Sequence, residues 1–222
     1  MSSPGVYASL RRELVKFCGH PVFVVPAGPA DWLATIHRQG WVRVLEKLDE
    51  TVRSEVKNAS NGKVTLIAHS AGGLIARLYL SERPFRGRVY AGTEWVEQVI
   101  TLGSPHINQG GLMRGGPLSR WVEEELPGAY YAPQVGYTSV AGKWLRGTRF
   151  GPPMARWVYD IYEQIGGDGT AWGDGIVPVE SALLPGAQHV ILEEVSHFPN
   201  FTDRWYGSPE VIPSWLDNGG IE

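Results

Sequence analysis

"KVTLIAHSAGG", residues 63–73, decides how the rest of this 222-residue chain is read. Lys63 to Ala68 is a short, largely apolar run with the length and composition of a buried strand. From Ala71 the pattern turns helical, with Leu74, Ile75 and Leu78 on one face. Between the two, residues 68–72 fit G-x-S-x-G except that Ala68 stands at the first glycine position. Alone, the pentapeptide is as compatible with a turn or helix-cap serine as with a nucleophile. The strand–turn–helix context separates the two, because a sharp turn there lifts the serine Oγ above the sheet. Ser70 is therefore the candidate nucleophile. The turn has room for one side chain above the sheet, so His69 is expected to pack or to face substrate.

Working outward, "PVFVVPA" (21–27), "WVEQVITLGSP" (95–105), "VGYTSVAG" (135–142) and "HVILEEV" (189–195) each predict or contain a strand. Trp41, Val44, Leu45, Leu48, Val52 and Val56 make one helical stripe, predicting a helix through about residue 58. A second helix follows Pro152-Pro153, with Met154, Trp157, Val158, Ile161, Tyr162 and Ile165 at helical spacing; proline is favoured at such a start. "PEVIPSWL" predicts a terminal helix limited by Pro213. Buried strands alternating with amphipathic helices imply an α/β fold, with a mostly parallel central sheet and helices on both faces. Ligands bind such sheets beyond the carboxyl ends of the strands. Ser70, Ser104-Pro105-His106 and His197 all fall just past predicted strand ends.

Composition narrows the function classes. At 43% hydrophobic and 19% charged residues, the chain suits a single domain, 1–222, with a substantial core. A formal net charge of −3 gives no electrostatic footprint for nucleic acid. Cys18 is the only cysteine, so no disulfide forms within the chain. Charged residues at 11, 12, 13 and 16 interrupt any leader-like apolar core, and no apolar run approaches the roughly 20 residues of a membrane helix. A cytoplasmic or plastid-stroma-like soluble compartment is expected, with peripheral membrane contact left open. No metal-ligand spacing, phosphate-binding loop or dinucleotide fingerprint is present, so no metal or cofactor is expected.

"TLIAHSAGGLIARLYL", "ITLGSPH" and "GDGIVPVESALLPGAQHVILEEVSHF" together resemble the α/β-hydrolase fold, specifically lipase-class serine esterases. They are similar to the intracellular GPI-inositol-deacylase-like hydrolases. The resemblance spans about residues 21–216 and implies a carboxylic ester or lipid-like substrate, cleaved through an acyl-enzyme. It also implies the chain order Ser, acid, His. His197, in the loop after the last strand, is then the base; His20 and His37 precede the nucleophile, and His189 would begin the strand itself. Asp168 and Asp174 both sit in Gly-Asp-Gly, and "DGIVPVESA" resembles the family's acid loop, which favours Asp174 and leaves Asp168 a turn residue. The oxyanion donors implied are the N–H of Ala71 and one N–H of "VPAGPADW": Pro26 and Pro29 have none, which leaves Ala27, Gly28 or Ala30, and Gly28 is best placed for close approach. This fold inserts its cap in the connection 105–134, whose apolar residues include Leu112, Met113, Leu118, Trp121, Val122, Leu126, Tyr130 and Tyr131. His106, Trp121 and Tyr130 are the expected substrate-binding residues, although a helix packed on the core explains much of the same pattern. A non-catalytic binding protein on this fold and an acyltransferase are the alternatives.

Overall fold

The continuous apolar runs of the sequence form the centre of the protein, seen in a computed structural model that describes residues 4–34, 40–109 and 117–219. In chain order the helices are α1 (Pro4–Cys18), α2 (Pro29–Ala34), α3 (Gly40–Glu55), α4 (Gly72–Tyr79), α5 (Pro117–Glu125), α6 (Pro153–Gly166), α7 (Val179–Ala182) and α8 (Ile212–Leu216). The strands are β1 (Val64–His69), β2 (Val96–Leu102), β3 (Gly136–Lys143), β4 (Leu145–Arg146), β5 (Trp172–Gly173) and β6 (Gln188–Glu193). β1, β2, β3 and β6 pair in that order, all parallel, while β4 and β5 make a small antiparallel pair.

Successive side chains of a strand point to opposite faces, and β2 shows the result. Val99 joins the core built with Leu45, Leu74, Leu78 and Val122 from α3, α4 and α5. Ile100 joins the opposite core with Leu10 and Leu14 of α1 and Trp215 of α8. The sheet is thus covered on both faces, as its apolar strands require. Pro213 lies in the first turn of α8, so it opens that helix rather than cutting it short. α3 ends at Glu55, three residues before the expected limit, and Val56 packs from the turn that follows.

"PVFVVPA" does not form the predicted strand. It carries no strand assignment and runs beside the free edge of β1 without joining the sheet. Pro21 and Pro26 lack N–H donors at its two ends. Phe23 and Val24 are exposed, and the carbonyl of Val22 accepts from Arg11 Nε of α1 instead. An open cavity of about 1470 Å³ is lined by this segment, by β1 and by parts of α1 and α3. Within the connection 105–134, α5 places Leu118 and Val122 in the main core. Leu112 and Met113, like His37, lie outside the described residues. No helix among the described residues is long and apolar enough to cross a membrane.

A buried polar bridge ties α4 to β2 and to the end of α5. Arg77 donates to the carbonyl of Leu126 and, at 3.4 Å, to Nδ1 of His106, whose Nε2 lies 2.9 Å from Thr101 Oγ1. Burial pulls Arg77 down to about 10 and, with the charge of Arg77 beside it, holds His106 well below the ordinary imidazole range. The folded protein therefore keeps His106 neutral at a pH where the unfolded chain protonates it. Stability from this group is full above about pH 6.5 and falls on acidification, by up to about 1.4 kcal/mol per pH unit. Urea unfolding at pH 7 and pH 5 should show a loss of stability that His106→Gln lessens by roughly one proton's worth. Equal pH slopes in the two proteins would contradict this account.

Candidate active site

Ser70 follows β1 directly and has φ 56°, in the left-handed region that residues with a Cβ seldom adopt. Two backbone bonds hold the turn: Ser70 N–H donates to Leu102 O at 2.9 Å, and Gly73 N–H to Ser70 O at 3.1 Å. The tight position is not where the pentapeptide puts it. A Cβ at Gly72 would meet the Ala68 methyl at an ordinary 3.8 Å, which explains why alanine is tolerated at 68. A Cβ at Gly73 would instead lie 2.6 Å from Ser104 Cβ, where α4 crosses the end of β2.

Beyond the ends of β5 and β6, Asp174 and His197 form a fully buried pair. His197 Nδ1 lies 2.7 Å from Asp174 Oδ2, and His197 N–H donates to the Asp174 carbonyl at 2.8 Å. The carboxylate is otherwise saturated. Oδ1 accepts from the N–H groups of Ile176 (2.9 Å) and Val177 (2.7 Å), and Oδ2 also accepts from Tyr206 Oη at 2.8 Å. His197 Nε2 is buried and has no hydrogen-bond partner among the described residues. Asp168 lies in an exposed turn, its Oδ1 taken by the N–H and hydroxyl of Thr170.

His69 links the serine turn to the pair, since its ring centroid is 4.5 Å from that of His197. His189 is occupied elsewhere, with Nε2 at 2.7 Å from the Leu184 carbonyl. His106 is enclosed by the Arg77 and Thr101 contacts described above. Trp121 packs edge-on against Phe85, 5.3 Å between centroids, and Tyr130 meets Tyr131 edge-on and accepts from Arg83 at the surface. None of these three expected substrate contacts shares a hydrogen bond or ring contact with Ser70, Asp174 or His197 among the described residues.

The expected oxyanion donors differ in availability. Ala71 N–H makes no hydrogen bond among the described residues. Gly28 N–H, in contrast, donates to Asp31 Oδ2 at 2.8 Å, and Asp31 is paired to Lys47 at 2.7 Å. The physical reason is a helix cap. Gly28 precedes α2, Pro29 opens it, and the acid three residues on reaches back to the capping N–H. "GPAD" carries that signal, which competes with the oxyanion role for the same hydrogen.

Sequence reasoning missed the supports of the pair. Tyr206 also accepts from Gly142 N–H, and Tyr162 accepts from Gly175 N–H while donating to Leu145 O, fixing the loop around Asp174. Burial and the adjacent Asp174 raise both hydroxyls above the ordinary tyrosine range, so both remain proton donors. An aromatic row also went unread. Phe198 abuts His197 at 4.5 Å and Phe201 at 5.8 Å, and Phe201 stacks on Trp144 and meets Trp157, which is 41% exposed. "HFPNF" directly after the candidate base was the available clue. Among the described residues no group of three His, Cys, Asp or Glu side chains is placed to hold a metal.

No curated protein matches the sequence. Among solved structures, the chain is similar to the mature form of a Bacillus licheniformis lipase, with 20% identity and a TM-score of 0.49 over 78% of this chain and 71% of that one. The model of the alpha/beta hydrolase family matches residues 8–207, nearly the whole length, and the chain belongs to that family.

Proposed function

We propose that this protein is a serine hydrolase of carboxylic esters, with Ser70 as nucleophile, His197 as base and Asp174 as the carboxylate that orients it. One observation carries the reading: Nδ1 of a buried histidine is committed to a saturated carboxylate, leaving Nε2 unpartnered, and its ring lies 4.5 Å from that of His69, the residue before a serine held in a strained turn. In the first step Nε2 takes the Ser70 proton as Oγ attacks the ester carbonyl. Ala71 N–H faces the developing oxyanion. The imidazolium, stabilised by Asp174, returns the proton to the departing alkoxide, leaving an acyl-Ser70. A water, activated by the same Nε2, then cleaves the acyl group and restores the enzyme.

Ser70→Ala, His197→Ala and Asp174→Asn should each lower kcat on an activated ester by about 10³-fold or more, and combined losses should not add. Asp168→Asn should change kcat less than twofold. Full activity in Ser70→Ala, or equal losses in the two aspartate variants, would refute the assignment. A non-catalytic binding role is favoured by the engagement of Gly28 N–H and by the lack of a bond from Ser70 Oγ to His197 Nε2. Such bonds are often long before substrate arrives. Covalent labelling of Ser70 by a fluorophosphonate probe distinguishes the readings, because only an activated serine reacts.

The substrate reading is apolar. The cavity beside β1 reaches Ala27, Ala68 and Gly72 at the serine turn, and the aromatic row borders His197 on another side. Together they support a lipid-like acyl group, in keeping with the motif similarity to acyl-ester hydrolases. Each buried methylene should add about 0.8 kcal/mol, roughly fourfold, to transition-state binding. On p-nitrophenyl esters, kcat/KM should climb from acetate towards medium chains before levelling. A profile that peaks at acetate would reject the acyl site and point to small esters.

A further inference from the structure

His69 closes β1 one residue before Ser70 and is buried at 9% exposure. Its Nε2 lies 3.1 Å from the carbonyl oxygen of His197. A carbonyl only accepts, so Nε2 carries the hydrogen and Nδ1 keeps its lone pair. That lone pair faces Tyr7 Oη of α1 at 3.0 Å, which must then donate. The two contacts therefore fix one neutral tautomer and one ring orientation. The rings of Tyr7, His197, Phe198, Trp205 and Tyr206 surround the imidazole, all with centroids within 6.3 Å.

We propose that His69 is a positioning residue for the base: it ties the backbone of His197 to the strand that carries the nucleophile. Nothing in the triad itself performs this task. The N–H of His197 is held by the Asp174 carbonyl, and its C=O is held by His69. The peptide groups on both sides of the imidazole are thereby pinned, one to the acid residue and one to the neighbour of Ser70. Burial, and then the charge of a protonated His197, keep His69 well below the ordinary imidazole range. His69 thus stays neutral beside the tilted ring of His197. Tyr7 makes α1 part of the same arrangement, as the donor that completes the Nδ1 side.

The inference rests on the proposed triad, and the test separates the two. His69→Phe keeps a ring and loses the N–H; His69→Gln loses the ring and keeps an N–H; Tyr7→Phe loses only the hydroxyl. Misplacing the base should act on turnover rather than binding, at about 10- to 100-fold for a shift near 1 Å. His69→Phe should lower kcat by that factor on a p-nitrophenyl ester, with KM within twofold and melting temperature close to that of the parent. His69→Gln should recover to within about fivefold of the parent, a rescue that loss of packing alone would not give. Tyr7→Phe should lower kcat several-fold. Unchanged kcat in His69→Phe, or equal impairment of His69→Gln and His69→Phe at normal melting temperature, overturns the proposal. Should His69→Phe fail to fold, unchanged kcat in Tyr7→Phe overturns it instead. If the parent protein is not labelled at Ser70 by a fluorophosphonate, the triad reading itself falls and this inference falls with it.

Discussion

The Asp174–His197 pair sets the conditions that the surrounding structure has to meet. A carboxylate removed from water costs several kcal/mol unless its oxygens are fully hydrogen-bonded. Four donors meet that demand, and they come from separate parts of the chain: two adjacent amides of the acid loop, Tyr206, and His197 itself. Each donor must in turn be held. Tyr206 is fixed by Gly142 N–H at the end of β3, and the acid loop by Tyr162 of α6 through Gly175 N–H. Removing one member of such a set costs more than a single hydrogen bond, because it strands the rest in a medium without water.

The end of β2 makes room for this arrangement. Gly103 has φ 53°, and a Cβ there would lie 2.7 Å from Tyr206 Oη and collide with Asp174 Oδ2. The next residue, Ser104, occupies the space that Gly73 leaves free, so α4 can start close to the sheet and keep the Ser70 turn sharp. Two further on, His106 anchors Arg77 inside α4. "TLGSPH" thus shapes the carboxylate pocket, the turn and the helix behind it. Strain at Ser70 persists because its N–H is tied to the Leu102 carbonyl and Gly73 sits close against Ser104.

The same distinction explains what could be read in advance. β1, β2, β3 and β6 were legible as short runs rich in apolar and β-branched residues, even though edge strand β6 leaves Ile191 49% exposed, and α3 and α6 because their stripes recur at helical spacing. Ser70, Asp174 and His197 could be singled out as candidates because motif and strand end coincide. Tyr206, Tyr162 and Tyr7 were not, since each acts across 13 to 62 residues of chain with no local pattern. "PVFVVPA" misled for a different reason. Its composition suits a strand, yet a strand also needs a ladder, and its terminal prolines cannot donate to one. The stripe of α6 was right in phase and too wide: Val158, Tyr162 and Ile165 are buried, while Met154 and Trp157 remain over 40% exposed.

The segment proposed as the oxyanion loop shows how local chemistry can oppose a reaction. Gly28 N–H is held by a carboxylate that Lys47 neutralises, and Lys47 also donates to the carbonyl of Pro26. A charge-assisted bond of this kind is worth more than a neutral one, so an ester carbonyl does not displace it readily in the ground state. A tetrahedral oxyanion bears a full charge and competes far better for the same hydrogen. In the proposed reaction the cap of α2 would therefore discriminate between ground and transition states, withholding the donor from the substrate and yielding it to the charged intermediate. Such an arrangement weakens substrate binding without an equal loss of rate, because only interactions stronger in the transition state accelerate the chemical step.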